Sequence, residues 1–433
     1  MKRFWSFIYN FAVIPLFWSV IQAIGIVDPK TRHGIRGRDV LFADLAQHAG
    51  ALDGGTRIWF HSSSMGEFEQ AKPIIAELRR RYPSIRVVVS FFSPSGYEHS
   101  LRYRQADVIT YLPFDTRANA RRFLDLVRPD AAVMVRYDIW PNHIWQLEAR
   151  GIPVMIANAT MRARTKRRLP MVRSFHHYVY NAIDEILTVA DSDVRAFRHF
   201  RLDHPVIQAI GDTRYDQVQI RCTEARQRRI MAAGVTAGKR VVVIGSSWPE
   251  DEEVVLPACF DLLDSMDDLL VIIVPHEPTE DHLASLERDC AGRSSAIRFS
   301  ALNEYAGERV IIVDSVGILM VLYASADIAY VGGSFRQGIH NVLEAAVYGI
   351  PVMFGPKHRN SHEPLMLLES GGGFAVNDSA EFQRTLEHLL EDPGARKDTG
   401  ERAAQFVQSH VGATGRFLEH LERHLNDAGG RRS

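Results

Sequence analysis

The sequence predicts an α/β protein built from two successive doubly wound parallel sheets, preceded by an apolar N-terminal segment. Three observations carry this. Short apolar runs alternate with amphipathic stretches between residues 57 and 189; the alternation pauses at Asp203–Asp216, where Pro205 and Gly211 stand; it resumes from residue 240. Strands alternating with helical stretches are the pattern of a parallel sheet covered by helices. A length of 433 residues exceeds what one core usually serves and agrees with two domains.

Taken in order, residues 1–28 read as a membrane anchor. No charged residue occurs from Phe4 to Val27, and Lys2 and Arg3 precede the stretch. A signal peptide needs a small-residue cleavage site, and Ile21-Gln22-Ala23-Ile24-Gly25 is a poor one. The segment is long enough to span a bilayer, although Asn10, Pro15 and Gln22 weaken that reading. A soluble core helix would rarely carry Phe4, Trp5, Phe7, Phe11, Phe17 and Trp18 together. Aromatic residues followed by Lys30, Arg32, Arg36 and Arg38 suit an anchor, spanning or interfacial, with the remainder on the cytoplasmic side.

Residues 29–210 form the expected first domain. Its strands are Arg57–His61, Ile85–Phe92, Val108–Leu112, Ala131–Val135, Val154–Ala157 and Glu185–Val189, with helices such as Glu67–Arg81 and Ala118–Val127 between them. Residues 211–433 form the second, with strands Arg240–Ile244, Leu269–Val274, Arg309–Val313, Ile328–Val331 and Pro351–Phe354. Its last helix is free to return to the first domain, and the tail Ala428–Ser433 is expected to fray. Gly371-Gly372-Gly373 reads as a helix stop.

Several function classes drop out. Lys+Arg 51 against Asp+Glu 52 leaves no excess charge for nucleic acid. Cys222, Cys259 and Cys290 lack CxxC spacing and read as buried thiols of a reducing compartment. No strand is followed by GxGxxG with a later acid, and GxxxxGK[ST] and HExxH are absent, against a nicotinamide dehydrogenase, a P-loop NTPase or a metal site of that kind.

Ligands of doubly wound sheets bind beyond the carboxyl ends of strands, so the loops there carry the candidates. After the first strand come His61-Ser62-Ser63-Ser64-Met65-Gly66-Glu67. Glu67 at a helix start could take a proton from an attacking hydroxyl, or it could serve the helix dipole beneath a serine N-cap. After the fourth strand stand Arg136-Tyr137-Asp138-Ile139-Trp140-Pro141-Asn142, either charge and aromatic surface at a site or a core tryptophan and a cap. Arg162, Arg164, Lys166, Arg167 and Arg168 are a solvated face or a grip on the phosphates of an anionic lipid.

In the second half, Gly211-Asp212-Thr213-Arg214-Tyr215-Asp216 opens the domain, and Gly245-Ser246-Ser247-Trp248 ends its first strand. Ser246 and Ser247 suit phosphate oxygens or a plain N-cap. His276 ends the next strand, and Gly317 ends another, where a base could lie against backbone. The strongest signal is Val331-Gly332-Gly333-Ser334-Phe335, then Gly338-Ile339-His340-Asn341-Val342-Leu343-Glu344. Glycines allow close backbone approach, and a helix start with Asn341 and Glu344 one turn apart suits a phosphate and a ribose diol.

With both halves in view, the chain resembles the Kdo transferases of lipopolysaccharide synthesis, which move 3-deoxy-D-manno-octulosonic acid from CMP-Kdo to a lipid A precursor. The likeness covers nearly the whole chain and rests on HSSSMGE, WPN, GDTRYD, VGGSFRQGIHNVLEAA and the FGP that follows. It implies a GT-B type fold, two Rossmann-like domains facing a cleft, and inversion without metal or cofactor. By the same likeness Glu67 matches the general base, with Asp138 a second acid. Arg214, Ser246, Ser247, His276, Gly317, Ser334, Gly338, Asn341 and Glu344 fall on the donor side. Ser64, Gly66, Arg136, Arg164 and Arg168 fall on the acceptor side.

The chain also departs from the family. Arg214 replaces a usual lysine, and Arg136-Tyr137-Asp138 stand where Glu-Thr-Glu is common. Pro275-His276-Glu277-Pro278 replaces Pro-Arg-His-Pro, Ile318 breaks Met-Gly-Glu-Leu, and Ile339 replaces a glycine. Two rival readings remain open: another GT-B glycosyltransferase or a sugar-nucleotide epimerase, and a membrane-tethered binding protein without catalysis.

Overall fold

The computed structural model describes residues 1–161, 165–359 and 361–430. The chain divides into two compact units, Met1–Gln217 with the segment from Gly412 onward, and Val218–Val411.

The first unit carries a parallel sheet of β1 (Arg57–Ser62), β2 (Arg86–Phe91), β3 (Val108–Tyr111), β4 (Ala131–Val135), β5 (Val154–Ala159), β6 (Glu185–Thr188) and β7 (Val206–Ala209). Their order is β3-β2-β1-β4-β5-β6-β7. The second carries β8 (Arg240–Ser247), β9 (Leu269–Pro275), β10 (Ala296–Arg298), β11 (Val310–Ile312), β12 (Ile328–Val331), β13 (Val352–Phe354) and β14 (Gly373–Ala375). Their order is β10-β11-β9-β8-β12-β13-β14. Helices cover both faces of each sheet, so the central strands are apolar throughout; every residue of β4 and β9 is buried.

Strand order reverses between β1 and β4 in one sheet and between β8 and β12 in the other. Those are the points where doubly wound sheets open a crevice. HSSSMGE and RYDIWPN follow β1 and β4, and GSSWPE and GGSFRQGIHN follow β8 and β12. The four loops singled out in the sequence thus flank the two switch points.

Three strands were not expected: β7, β10 and β14. All are sheet edges with one bonded neighbour, and β7 and β10 have no buried residue. A half-exposed edge of three or four residues lacks the apolar run that marks a central strand. Gly371 ends the helix Glu363–Glu369 with φ of 74°, and β14 begins at Gly373 directly afterwards.

The N-terminal helix Lys2–Val27 is long and apolar enough to cross a membrane. A π turn at Tyr9–Val13 precedes Pro15, where proline cannot donate and the regular ladder must readjust. Its first half is fastened to the first unit by a polar seam. The Tyr9 hydroxyl donates to buried Asp115 at 2.8 Å, and Trp5 Nε1 donates to Ser174 at 3.0 Å. Asn10 and Asn142 exchange hydrogen bonds at 3.0 and 3.1 Å. Trp5, Tyr9 and Ile14 are buried, whereas Phe4, Phe7, Phe11, Leu16 and Trp18 are exposed.

The last helix, Ala413–Gly430, packs Phe417, Leu418 and Leu421 into the core of the first unit beside Phe68 and Ile74. Asp216 ties it down, accepting from Gly412 N at 2.6 Å and Thr414 N at 2.8 Å. Helix continues through Gly430, where fraying was expected from Ala428; residues 431–433 lie outside the described residues. All three cysteines are buried free thiols.

Candidate active site

In the first unit, β1 delivers His61, and the serines after it turn the chain into the helix Met65–Arg81. Ser64 occupies the N-cap position with extended backbone, but its side chain makes no capping bond. Glu67 in the first turn reaches back instead: its Oε2 accepts from Ser63 N, one residue before the N-cap, at 2.7 Å. Its Oε1 carries no hydrogen bond among the described residues. Next to it Gly66 leaves open space where a side chain would stand.

The loop after β4 brings Asp138 toward the same place. Its Oδ2 accepts from His61 Nε2 at 2.9 Å and from Trp140 Nε1 at 3.2 Å. Fully buried His61 turns its Nδ1 to Ser90 Oγ at 2.9 Å, and Trp59 Nε1 donates to that oxygen at 2.8 Å. With a proton on Nε2 to donate to Asp138, His61 joins Trp59, Ser90 and Asp138 in one hydrogen-bonded chain. Burial pushes the Asp138 carboxyl up, but the hydrogen bond and charge of His61, with help from Trp140 and Ser63, hold it below its usual value. Glu67 goes the other way. Burial lifts its carboxyl, the Asp138 charge adds to the lift, and Ser63 N–H, His61 and Arg136 offset only part. Two neighbouring carboxyls with opposed shifts are the usual mark of divided acid–base roles.

Asp138 is not a helix cap; Trp140 holds the N-cap position of Pro141–Ala149. Arg136 adopts φ of 64°, a left-handed backbone that costs energy outside glycine, and its Nε is buried without a hydrogen-bond partner. Arg164 lies outside the described residues, as does the side chain of Arg168.

The run Gly211–Asp216 makes several bonds within the first unit. Arg214, expected on the donor phosphate, belongs to the first unit, where Asp212 Oδ2 takes its Nε at 2.8 Å and its Nη2 at 2.7 Å. Thr213 donates to Gln70 O at 2.6 Å and accepts from Asn158 at 2.6 Å. Asp216 adds the bonds to the start of the last helix, so the run also ties segments of the first unit together.

In the second unit the ends of β8 and β12 approach so closely that a Cβ on Gly332 would lie 2.4 Å from Ser246 O. Ser246 there has φ of 53°. The loop after β12 closes through Gly338 N to Gly333 O at 2.9 Å, with φ of 91° at Gly333 and 145° at Gly338. Two expected ligand hydroxyls are engaged inside the protein. Ser247 donates to Glu252 at 2.6 Å, and buried Ser334 accepts from Gly355 N at 2.6 Å. The helix expected after Asn341 is a single turn, Leu343–Ala346. Asn341 Oδ1 accepts from Leu343 N at 3.2 Å, and Glu344 pairs with Arg221 at 3.0 Å. Gly317 has φ of 80° and open space around it.

His276 stacks on His340 at 4.3 Å and packs at a 34° tilt against Trp248 at 4.8 Å. Trp248 Nε1 donates to His340 Nε2 at 3.0 Å, and Arg336 lies 3.9 Å above the Trp248 ring. Burial, then the neighbouring His276, pushes His340 down to about 4, so it is uncharged at neutral pH.

Asp251 is the residue that sequence reasoning missed. It is fully buried and accepts from Gly333 N at 2.7 Å, Tyr330 OH at 2.9 Å, Trp248 N at 3.1 Å and Phe335 N at 3.3 Å. One carboxylate therefore shapes both loops at the second switch point. Its signal was an acid three residues after Trp248 at a helix start.

A family model described as 3-deoxy-D-manno-octulosonic-acid transferase (kdotransferase) matches residues 34–217. The 3-deoxy-D-manno-octulosonic acid transferase of Haemophilus influenzae is 27% identical over 97% of this chain and 99% of its own length. That of Chlamydophila psittaci is 28% identical over 86% of each chain. Among solved structures, UDP-GlcNAc 2-epimerase from Neisseria meningitidis superposes with a TM-score of 0.58 at 12% identity, covering 85% of this chain and 100% of the other. MurG from Acinetobacter baumannii gives 0.53 at 12% identity, over 85% and 99%. These two likenesses speak to fold alone, the GT-B type with two doubly wound units.

Proposed function

This chain belongs to the Kdo transferase family of glycosyltransferases, and from that premise we propose that it moves Kdo from CMP-Kdo to a lipid A precursor, lipid IVA, at the cytoplasmic face of the inner membrane. The observation that carries the reading is buried Glu67, its carboxyl raised and one oxygen without a bond, beside an Asp138 held as the anion.

The lipid hydroxyl gives its proton to Glu67 Oε1 while its oxygen forms a bond to the anomeric carbon of Kdo. The bond from that carbon to the phosphate oxygen breaks on the opposite face, and CMP leaves with the electron pair. Attack opposite to departure inverts configuration. Asp138, as a fixed anion, would favour the positive charge that develops on the sugar ring. Arg136 and Gly66 border Glu67 on the acceptor side. On the donor side, Glu344, paired with Arg221, would grip the ribose hydroxyls. His276, Arg336 and backbone N–H groups shaped by Asp251 would meet the phosphate, in place of the arginine that the family carries at position 276.

Membrane attachment follows from the two faces of the N-terminal helix. Because Trp5, Tyr9 and Ile14 are fastened to the first unit, this half lies along the protein with its exposed aromatic face toward lipid. The fourfold variant F4S/F7S/F11S/W18S is expected to leave anionic vesicles in flotation without a change in Tm. Continued co-flotation would move attachment to the basic surface.

The test of the activity is release of CMP from CMP-Kdo with and without tetra-acylated lipid A precursor. Lipid-dependent release is expected. Release that ignores the lipid, or none at all, contradicts the transfer.

A further inference from the structure

Phe17 sits on the N-terminal helix, half-buried, and the chemistry above leaves it without a task. Its ring lies 5.9 Å from Trp140 and 6.2 Å from Phe92. Trp140 stacks on Phe92 at 4.7 Å with planes 28° apart. Arg38 stands 4.6 Å over the far partner of that stack and donates to Phe92 O at 2.6 Å, so Phe92 is fixed from behind. The three rings form a triangular cluster in which Phe17, lent by the apolar helix, packs at a tilt against both Trp140 and Phe92. Trp140 Nε1 donates to Asp138 Oδ2, and Glu67, whose carboxyl feels the Asp138 charge, accepts from Ser63 N.

We propose that Phe17 is a positioning residue for glycosyl transfer: the apolar helix presses the Trp140 indole onto Asp138 and thereby fixes the carboxylates that face the reacting atoms. The helix is then a wall of the active site as well as an attachment. Without the Phe17 ring, the indole loses one of its two ring neighbours in the cluster and can turn to another rotamer, which releases Asp138 from one of its donors. A misplacement of this size near the chemistry acts on kcat more than on KM. The inference rests on Glu67 as the base.

The experiment uses the full chain in detergent micelles with CMP-Kdo and tetra-acylated lipid A precursor, so that membrane attachment is not the variable. Phe17→Ala is expected to lose about tenfold or more in kcat with KM for both substrates near wild type, and Phe17→Tyr to restore it. Leu16→Ala, an exposed neighbour, measures what loss of apolar surface alone does. Trp140→Phe keeps a ring and removes the N–H; in that background Phe17→Ala is expected to cost little more, the signature of a shared path. Wild-type kcat in Phe17→Ala, or full additivity with Trp140→Phe, overturns the inference. Glu67→Gln in the same assay separates the two claims. If it is inactive while Phe17→Ala is normal, only the positioning role fails; if it is active, the base assignment fails and the inference with it.

Discussion

Glu67→Gln is expected to lower kcat for Kdo transfer by about 10²–10⁴-fold while CMP affinity stays at the wild-type value. The amide keeps the shape and can still accept from Ser63 N, but it cannot take a proton. The same change should stabilise the fold at neutral pH. The Glu67 carboxyl is raised above its ordinary 4.5 in the folded chain, chiefly by burial. Its contribution to stability is therefore fully present below about that ordinary value and is lost as pH rises through the raised one. Above the raised value the wild-type protein holds a buried anion that the glutamine variant lacks, worth ~1 kcal/mol in favour of the variant. Urea unfolding at pH 7 and pH 4 should show that advantage shrinking on acidification. A wild-type kcat refutes the base; an advantage that grows on acidification refutes the sign of the shift.

The second large effect is at Asp251. Asp251→Ala leaves the N–H groups of Gly333, Trp248 and Phe335 and the Tyr330 hydroxyl without their shared acceptor, inside a buried pocket. The loss should be about 3–5 kcal/mol in urea unfolding. Affinity for CMP should fall by about tenfold or more, because the carboxylate shapes the loops after β8 and β12 together. Unchanged CMP binding in a folded Asp251→Ala protein would show that those loops do not hold the nucleotide.

Much of the fold was legible because central strands of a parallel sheet are buried on both faces and read as apolar runs. β4 and β9 are of that kind; β7, β10 and β14 sit at edges and carry no such signal. The site was legible as loops but less so as roles. Glu67 announced itself by its place at a helix start after a strand. Ser247 read as a phosphate ligand, and Ser334 fell on the donor side, because small hydroxyl residues near strand ends bind ligands and also pin loops, and sequence does not say which. Their partners, Glu252 and Gly355 N, come from other segments. Asp212 and Arg214 likewise satisfy one another, a pairing that charge pattern alone leaves open. The link from Phe17 through Trp140 to Asp138 joins residues far apart in the chain and exists only in three dimensions.

The most direct measurement is mass spectrometry of the lipid after incubation of the full-length protein with CMP-Kdo and tetra-acylated lipid A precursor. The account predicts lipid carrying the mass of at least one Kdo residue with the wild-type protein and none with Glu67→Gln. Unmodified lipid from the wild-type protein, or equal product from Glu67→Gln, would contradict it.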